Sequence, residues 1–553
     1  MGYLLLLIGM LAAPADDASV WDPEVQEESE TAFPVVWDLR LQLGLHAAGN
    51  DPETGLPLYE DTNSFSDGIW AVDDFLKPRS EVIYPWFLVE FGLEAEFYKR
   101  WGLRLTLSTG EIHNEAGEWL TSRRSTKDDG TTEIGGRTVS EEFLASGFVR
   151  EAVLTGRFGP VSLEAGQRIG EVMGGLVYGD YGLGVAANLD MRDLDLGPWS
   201  VSMAADLVGM EWADYTDPNT LLSMRVEWEY GFFESLVFEA AYFSDRTGTF
   251  HDALSSIQVE NAVLNPARIA SCPPGAIQEG LNDPLQCYIW GFVNSQREST
   301  VDVGYVGVSG NHFFNDLSLR YSLALEQGRA VILAPELPEN EEGPEPGGPS
   351  GGPGGSQQSD SSSDQAAPED VHFQLQGFAM DINAHYSLTP RLGLSAFGVF
   401  LSGQGPPPKF NDDGDRILSA FIAPAPYWVW SRMFFTGGLS QGVFSSRATT
   451  AGINAHGVAA AGLAFDWAGS SFEISGRALW LEAMCALSGD EVDGEPTHYG
   501  LETNLEGRFL IWDGSWFDLY GNAELDFFFP GNFFPESDVA YRAIGLLDVV
   551  LRD

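Results

Sequence analysis

Apolar and polar residues alternate with a period of two over long stretches of the chain. In "VVWDLRLQLGLHA", every second residue from Trp37 onward is apolar, while Asp38, Arg40, Gln42 and His46 lie between them. The stretches "LLSMRVEWEY", "DLSLRYSLALE" and "GLETNLEGRFL" repeat the pattern. This period is typical of a β-strand with one apolar and one polar face. The sequence therefore predicts an all-β protein.

The alternating stretches are longer than the strands of ordinary globular proteins. Globular strands average about five or six residues, whereas a tilted strand needs roughly 10 residues to cross a bilayer. Long strands with an apolar outer face and a polar inner face are typical of transmembrane barrels. We therefore predict a single transmembrane antiparallel β-barrel of about 18 strands, within a range of roughly 16–20.

The connections between these strands alternate between short and long. Short turns are predicted near Arg100, Gly159, Leu196, Gly231, Asn315, Leu388, Ala468 and Asp513. Long connections are predicted over residues 50–79, 112–138, 248–298, 335–370, 402–415 and 487–496. Outer-membrane barrels have short periplasmic turns and long extracellular loops, so the long segments are assigned to the outside. One further periplasmic turn is predicted within Arg416–Phe444, because the two prolines of "APAPYWVW" disfavour a central strand.

The two ends and one internal segment divide the chain further. Residues 1–15 are predicted to be a signal peptide, with an apolar core and the small-x-small site Ala13-Pro14-Ala15. Residues 16–33 are expected to be a short acidic periplasmic lead-in, and residues 34–553 to be the barrel. Within it, residues 335–370 are acidic and rich in Pro, Gly and Ser, which predicts a disordered extracellular loop.

Charge and cysteine content narrow the choice of partners. The net charge is −52, which argues against nucleic acid, since phosphate binding needs a basic surface. Of the three cysteines, Cys272 and Cys287 flank a short polar segment and could form a local disulfide in an oxidising compartment. No cofactor or metal site is predicted. The acidic loop stretches "NDDGD" and "DPETGLPLYEDTNSFSDG" leave open either bound Ca²⁺ or a solvated acidic turn.

The pleat of the predicted strands assigns charged side chains to the lumen and aromatic ones to lipid. Acids outnumber arginines on the inward side, which favours a mixed but net acidic lumen that attracts cations. Some of these charged residues are expected to form cross-strand ion pairs that stabilise the barrel wall. The predicted lumen-lining residues are Asp38, Arg40, Arg104, Glu164, Arg168, Arg225, Glu227, Glu229, Glu239, Asp316, Arg320, Glu326, Glu502, Glu506, Arg508, Asp518, Glu524 and Asp526. The predicted lipid-facing or girdle residues are Trp37, Trp228, Phe517, Phe527 and Phe529.

Two short motifs resemble those of a known group of proteins. The segment "SLEAGQRIGEVMGGLVYGDYGLG" and the end "ELDFFFPGNFF" resemble the alginate-export and related outer-membrane porin families of Gram-negative bacteria. The resemblance implies an approximately 18-stranded barrel in the cell outer membrane that passively passes a polysaccharide or small solutes. The chain departs from that pattern in three ways. It has Gly166-Gln167-Arg168 instead of Gly-Arg-Gln, an acidic rather than arginine-rich lumen, and "VVLRD" instead of a terminal Phe.

These patterns predict a channel rather than an enzyme. The histidines are scattered, and no Ser or Cys lies in a recognisable nucleophile motif. The first hypothesis is a porin-like channel for hydrophilic solutes or a polysaccharide. The alternative is a non-conducting barrel that anchors a surface or secretion machine through its long acidic loops. Expected partners are outer-membrane lipid and lipopolysaccharide, the barrel-assembly machinery and the transported solute.

Overall fold

The structure is a computed structural model. It describes residues 35–49, 81–97, 100–108, 124–126, 132–134, 149–208, 219–231, 234–246, 299–332, 371–405, 409–411, 414–424, 426, 430–431, 449–450, 456–485, 497–532 and 539–552. The predicted signal peptide and lead-in, the acidic 335–370 segment, and Cys272 and Cys287 lie outside these ranges. Within the described ranges, no helix is long and apolar enough to span a membrane.

The described strands form an all-β, closed 18-stranded antiparallel barrel. In chain order, its strands are β1 (Val35–Gly49), β2 (Glu81–Phe97), β3 (Trp101–Ser108), β4 (Val149–Phe158), β5 (Val161–Val172), β6 (Tyr178–Asp190), β7 (Trp199–Val208), β8 (Asn219–Gly231), β9 (Glu234–Asp245), β10 (Ser299–Phe314), β11 (Leu317–Ile332), β12 (Val371–Thr389), β13 (Leu392–Leu401), β14 (Val458–Ala468), β15 (Phe472–Glu482), β16 (His498–Asp513), β17 (Phe517–Pro530) and β18 (Ala540–Arg552). The predicted fold class and strand count are confirmed.

Each strand pairs with its neighbour in the chain, and the first strand pairs with the last. The closing contact between β1 and β18 runs from Asp38 opposite Arg552 to Gly49 opposite Tyr541. Closure gives both edges a partner, so the barrel leaves no long edge strand unpaired. A barrel of this kind has one wall and two ends.

The two ends differ in how they connect the strands. The end at which β1 begins and β18 finishes is called the turn end, and its connections are residues 98–100, 159–160, 191–198, 232–233, 315–316, 390–391, 469–471 and 514–516. The eight short turns predicted near Arg100 through Asp513 lie there. Gly159 and Asn315 have φ angles of 59° and 56°, which such tight turns require and which Gly and Asn tolerate. The opposite end is called the loop end.

The predicted turn within Arg416–Phe444 is wrong. β13 ends at Leu401 and β14 begins at Val458, both at the loop end, so residues 402–457 form one connection. Part of it folds into the barrel, where the short strand Arg416–Leu418 pairs in parallel with β12. The described residues of 402–431 are called the infolded segment. Pro424 and Pro426 are tolerated because they lie outside the residues of this segment that pair with β12.

On β12, the inward positions are apolar toward the loop end and polar toward the turn end. On β12, Phe373, Leu375 and Ala379 are buried inside, whereas the next inward positions toward the turn end are Asp381 and Asn383. The apolar part joins Leu418, Phe421 and Ile422 of the infolded segment in one buried cluster. The expectation of a polar inner face therefore holds for only part of β12.

The outer face carries the exposed apolar side chains. Leu463, at the middle of β14, is 69% exposed. Aromatic rings cluster near the turn end, where Trp199 and Trp228 stack with centroids 5.5 Å apart and Trp467 lies 4.5 Å from Phe472. Such a ring of aromatic side chains is typical of the boundary between lipid and water.

Candidate functional site in the barrel interior

The most connected charged group in the interior lies on β16, β17 and β18. The guanidinium of Arg542 donates to Asp526 over 2.7 Å and also bonds Glu524. The amide of Asn504 donates to Asp526 over 2.7 Å and to Glu502 over 3.0 Å. Asp526 and Glu502 are fully buried and Arg542 is 3% exposed. This network ties three strands together with charge-assisted hydrogen bonds.

Ion pairs continue along the wall onto β1, β3 and β4. Arg40 donates to the buried carboxylate of Asp548 over 2.8 Å and 3.0 Å, which links β1 to β18 across the barrel closure. Arg104 donates to Glu151 over 2.8 Å between β3 and β4. These arginines are 39% and 37% exposed. They therefore link neighbouring strands while part of each side chain stays exposed.

The wall from β5 to β9 carries a second set of paired charges. Arg168 donates to Asp206 over 2.8 Å, and both side chains are buried. Arg225 donates to Glu227 over 3.0 Å and lies 3.7 Å from Glu239. Cross-strand pairing thus accounts for part of the predicted lumen charges.

The β5–β6 connection, Met173–Val177, folds inward and reaches the opposite part of the wall. The backbone N–H of Met173 donates to Glu239 on β9 over 2.6 Å. The side chain of Met173 packs over Gly307 on β10, where a Cβ would lie 2.7 Å from the Met173 sulfur. Met173 has a φ of 55°, a conformation that an L-residue adopts at a cost. Packing and the Glu239 bond offset that cost.

The infolded segment crosses the interior between two parts of the wall. On one side, the hydroxyl of Tyr305 donates to the Ile422 carbonyl over 2.7 Å, and the Ile422 N–H donates to Glu326 over 3.0 Å. On the other side, Arg477 donates to the Trp430 carbonyl over 3.0 Å. Ser431 also donates to Glu502 over 2.5 Å. The segment therefore spans from β10–β11 to β15–β16.

These contacts leave the interior asymmetric. The buried apolar cluster runs from Val172 on β5 through the Met173–Val177 turn to Phe528 on β17, and it includes Phe421 and Ile422 of the infolded segment. The side formed by β16–β18 and β1–β5 carries the ion pairs of Arg40, Arg104 and Arg542. Arg40 and Arg104, the partly exposed arginines of these pairs, lie on that side.

The predicted lumen residues occupy three kinds of environment. Arg168, Glu239, Glu326, Glu502, Asp518 and Asp526 are buried. Asp38, Asp316 and Arg320 are exposed, and Arg40, Arg104, Glu164, Arg225, Glu227, Glu229, Glu506, Arg508 and Glu524 are intermediate. On β16 and β17, Arg508 lies over the Tyr520 ring at 4.0 Å from its centroid.

The predicted lipid-facing residues are exposed on the isolated barrel. The exposed fractions are 37% for Trp37, 37% for Trp228, 38% for Phe517, 40% for Phe527 and 42% for Phe529. Each is larger than expected for a core aromatic side chain.

Several residues at this site escaped the sequence analysis. Asp548 and Arg542 lie in "AYRAIGLLDVV", where both faces of the strand are apolar and no alternation marks the inward side. Tyr305 was equally hidden, because it lies on the apolar part of the interior. Only the period-two spacing of Arg542 and Asp548 could have indicated them.

The "NDDGD" stretch is partly described. The Asn411 side chain accepts from the Asp415 N–H over 2.8 Å and donates to Gln374 over 3.2 Å. These bonds close the turn on itself and tie it to β12. Among the described residues, no group of three or more His, Cys, Asp or Glu side chains is arranged to hold a metal ion. The Ca²⁺ alternative stays a prediction.

Comparison with known proteins finds similarity only at the level of solved structures. No family model matches the chain, and no curated protein matches it. The chain is similar to Pseudomonas aeruginosa OccK11 (OpdR), at 8% identity over 94% of this chain and 96% of that one, with a TM-score of 0.43. It is also similar to Acinetobacter baumannii OccAB1, at 7% identity over 94% of this chain and 96% of that one, with a TM-score of 0.44. It is also similar to the outer membrane protein opdK from Pseudomonas aeruginosa, at 8% identity over 94% of this chain and 100% of that one, with a TM-score of 0.44. Similarity this distant assigns the chain to no family, and the alginate-export resemblance stays a prediction.

Proposed function

We propose that this protein is a non-enzymatic outer-membrane channel that passively passes small hydrophilic solutes. The observation that carries the proposal is a closed barrel whose outer face exposes apolar residues while its inner face carries paired charges. In water such an outer face would be costly, whereas in lipid it is solvated. Lipopolysaccharide and the barrel-assembly machinery are proposed partners for the same reason.

The proposed passage runs along the β16–β18 and β1–β5 side of the interior. The inward-folded pieces narrow the remaining space, which favours small solutes over a polysaccharide chain. Inward acids on these strands outnumber the arginines that face them, and a surplus of acids raises the local concentration of cations. We therefore propose a preference for cationic or neutral solutes.

Planar-bilayer recording of the purified full chain tests the proposal. Stepwise conductance is expected, with a reversal potential that shows cation selectivity in a salt gradient. Liposome swelling with neutral sugars of increasing size should give a sharp cut-off at small solutes. Arg40→Gln, which removes a half-exposed interior cation, is expected to increase cation selectivity. The outward-facing Leu463→Val is the matched control and should leave selectivity unchanged. Anion selectivity in the unaltered protein would overturn the acidic-lumen part of the proposal.

A non-conducting anchor is the second candidate function. It is favoured by the buried apolar cluster inside the barrel that includes Phe373 and Phe421. The same recordings separate the two functions, since an anchor would insert into the bilayer without producing conductance steps.

A further inference from the structure

The outer face of β9–β12 changes from apolar to polar before these strands reach the loop end. Val306, Leu325 and Phe378 face outward in one row of the register and are 55%, 48% and 38% exposed. This apolar row marks the loop-end limit of the lipid-facing band on this part of the wall. Beyond it lie polar outward positions, six of which are called the outer polar patch: Arg246, Asp302, Gln327, Arg329, Gln374 and Gln376.

The outer polar patch is a continuous surface because its residues are neighbours in the barrel register. Asp302 lies opposite Arg329, and Arg329 lies opposite Gln374. Closer to the apolar row, Gln327 lies opposite Gln376. The side chains of Gln327, Arg329 and Gln376 are exposed. The patch therefore presents amide and guanidinium groups side by side to the surroundings of the barrel.

Part of the outer polar patch is held in a fixed arrangement by hydrogen bonds. Arg246 donates to the two carboxylate oxygens of Asp302 over 2.8 Å and 2.9 Å. The Tyr242 hydroxyl donates to the same carboxylate over 2.7 Å. On β12, Asn411 donates to the Gln374 side-chain oxygen over 3.2 Å. Side chains that are already ordered lose less entropy when they bind a ligand.

The charge of the outer polar patch is opposite to that of the chain. The patch has two arginines and one aspartate, whereas the whole chain has a net charge of −52. Because Asp302 is engaged by Arg246, the charge of Arg329 remains available to an anion. An arginine binds phosphate through parallel hydrogen bonds, and glutamine amides both donate to and accept from hydroxyl groups. The patch therefore fits a ligand that carries phosphate and hydroxyl groups together.

The height of the outer polar patch identifies the source of such a ligand. Arg329 lies four positions beyond Leu325 on β11. A strand rises about 3.3 Å per residue and barrel strands tilt by about 40°, so Arg329 stands roughly 10 Å beyond the apolar row. The headgroup layer of a phospholipid leaflet is only about 5–8 Å thick. The headgroup of lipopolysaccharide is a larger, phosphorylated oligosaccharide, so it extends past the glutamines to Arg329.

We propose that the outer polar patch binds the phosphorylated sugar headgroup of a lipopolysaccharide molecule in the surrounding leaflet. Arg329 binds a phosphate group, and Arg246 offsets the negative charge of Asp302 beside it. The three glutamines bond the sugar hydroxyl groups. This inference rests on the outer-membrane location in the proposed function and is independent of conduction.

Native mass spectrometry of the full chain in detergent measures the binding. The probe is a deep-rough lipopolysaccharide that retains its phosphates and inner-core sugars. The comparison lipids are the same molecule without phosphates, and phosphatidylglycerol, which has the charge but not the sugar. The probe is expected to bind about tenfold more tightly than either comparison lipid, since each lacks one kind of contact.

Matched variants locate the binding on the protein. Arg329→Gln removes the cation and should weaken binding of the probe about tenfold. Arg192→Gln is the control, since Arg192 is half-exposed but lies at the turn end, and it should leave binding unchanged. Gln376→Leu removes an amide but no charge, so it should weaken binding of the probe but not of phosphatidylglycerol. Far-UV circular dichroism shows whether each variant keeps its strands.

The outcomes separate this site from the channel function. Equal binding of the three lipids, or equal losses from Arg329→Gln and Arg192→Gln, would overturn the proposal. Planar-bilayer conductance in membranes free of lipopolysaccharide is an independent measurement. A barrel that conducts but does not bind the probe rejects the site alone, and a barrel that binds the probe but does not conduct rejects the channel alone.

Discussion

Replacement of Arg542 by Met should destabilise the barrel more than any other single loss of an interior arginine charge. Arg542 neutralises Asp526 at 2.6–2.7 Å and also bonds Glu524. Its side chain is 3% exposed, that of Asp526 is fully buried and that of Glu524 is 12% exposed. Arg542→Met keeps most of the packing volume but leaves two carboxylates side by side without their cation. Removing one partner of a buried pair costs about 3–5 kcal/mol.

Urea unfolding in detergent micelles, followed by tryptophan fluorescence, measures this cost. With an m-value of about 3 kcal/mol/M, the midpoint is expected to fall by about 1–1.7 M. The matched control is Arg192→Met at the turn end, where the arginine bonds Asp190 over 2.9 Å but is 50% exposed. An exposed pair is screened by water and contributes little, so the control midpoint should barely move.

A double variant checks the cause of the effect. Adding Asp526→Asn to Arg542→Met removes one of the two uncompensated charges, so a large part of the lost stability should return. If Arg542→Met shifts the midpoint no more than Arg192→Met does, the network does not carry the stability assigned to it. A loss of stability that Asp526→Asn does not relieve would point to packing rather than charge.

Three further predictions concern the inward-folded pieces and the outer face. Tyr305→Phe leaves the Ile422 carbonyl buried without its donor, so we expect a loss of about 1–3 kcal/mol in urea unfolding and noisier single-channel current. Gly307→Val places a side chain against Met173; overpacking should cost about 1–3 kcal/mol and raise the solute size limit in liposome swelling. Leu463→Arg, at the middle of the exposed band, should cost about 2–4 kcal/mol for folding into lipid vesicles, whereas Leu463→Ala should cost less.

The barrel itself was predictable because alternation reports the pleat directly. In "ELDFFFPG", the period of two separates Phe527 and Phe529 on the outside from Asp526 on the inside, and the structure has that arrangement. The short turns were equally visible, since Gly, Asn and Pro mark them in the sequence. Local rules of this kind need no knowledge of distant contacts.

The infolded segment was not predictable, because its partners are far away in the chain. Ile422 is bonded to residues 96 and 117 positions before it. Its neighbours "SAFIAPAPYW" have the composition of an ordinary buried strand or loop. The prolines were correctly seen as incompatible with a central strand, but a turn and an inward fold are both compatible with them. Only the tertiary contacts distinguish the two.

The alternation also does not indicate whether the outer face of a strand contacts lipid or water. On β12, the inward Phe373 and Leu375 are apolar, while the outward His372 and Gln376 are exposed and polar. Nearer the turn end, the order is reversed, with Asp381 inward and the outward Ile382 38% exposed. The period stays at two throughout, so a sequence pattern alone hides the reversal. A polar outer face over an apolar core is the arrangement of a water-soluble sheet. The loop-end part of β12 therefore forms a water-exposed sheet with the infolded segment that it packs against. The lipid-facing band of β12 begins closer to the turn end.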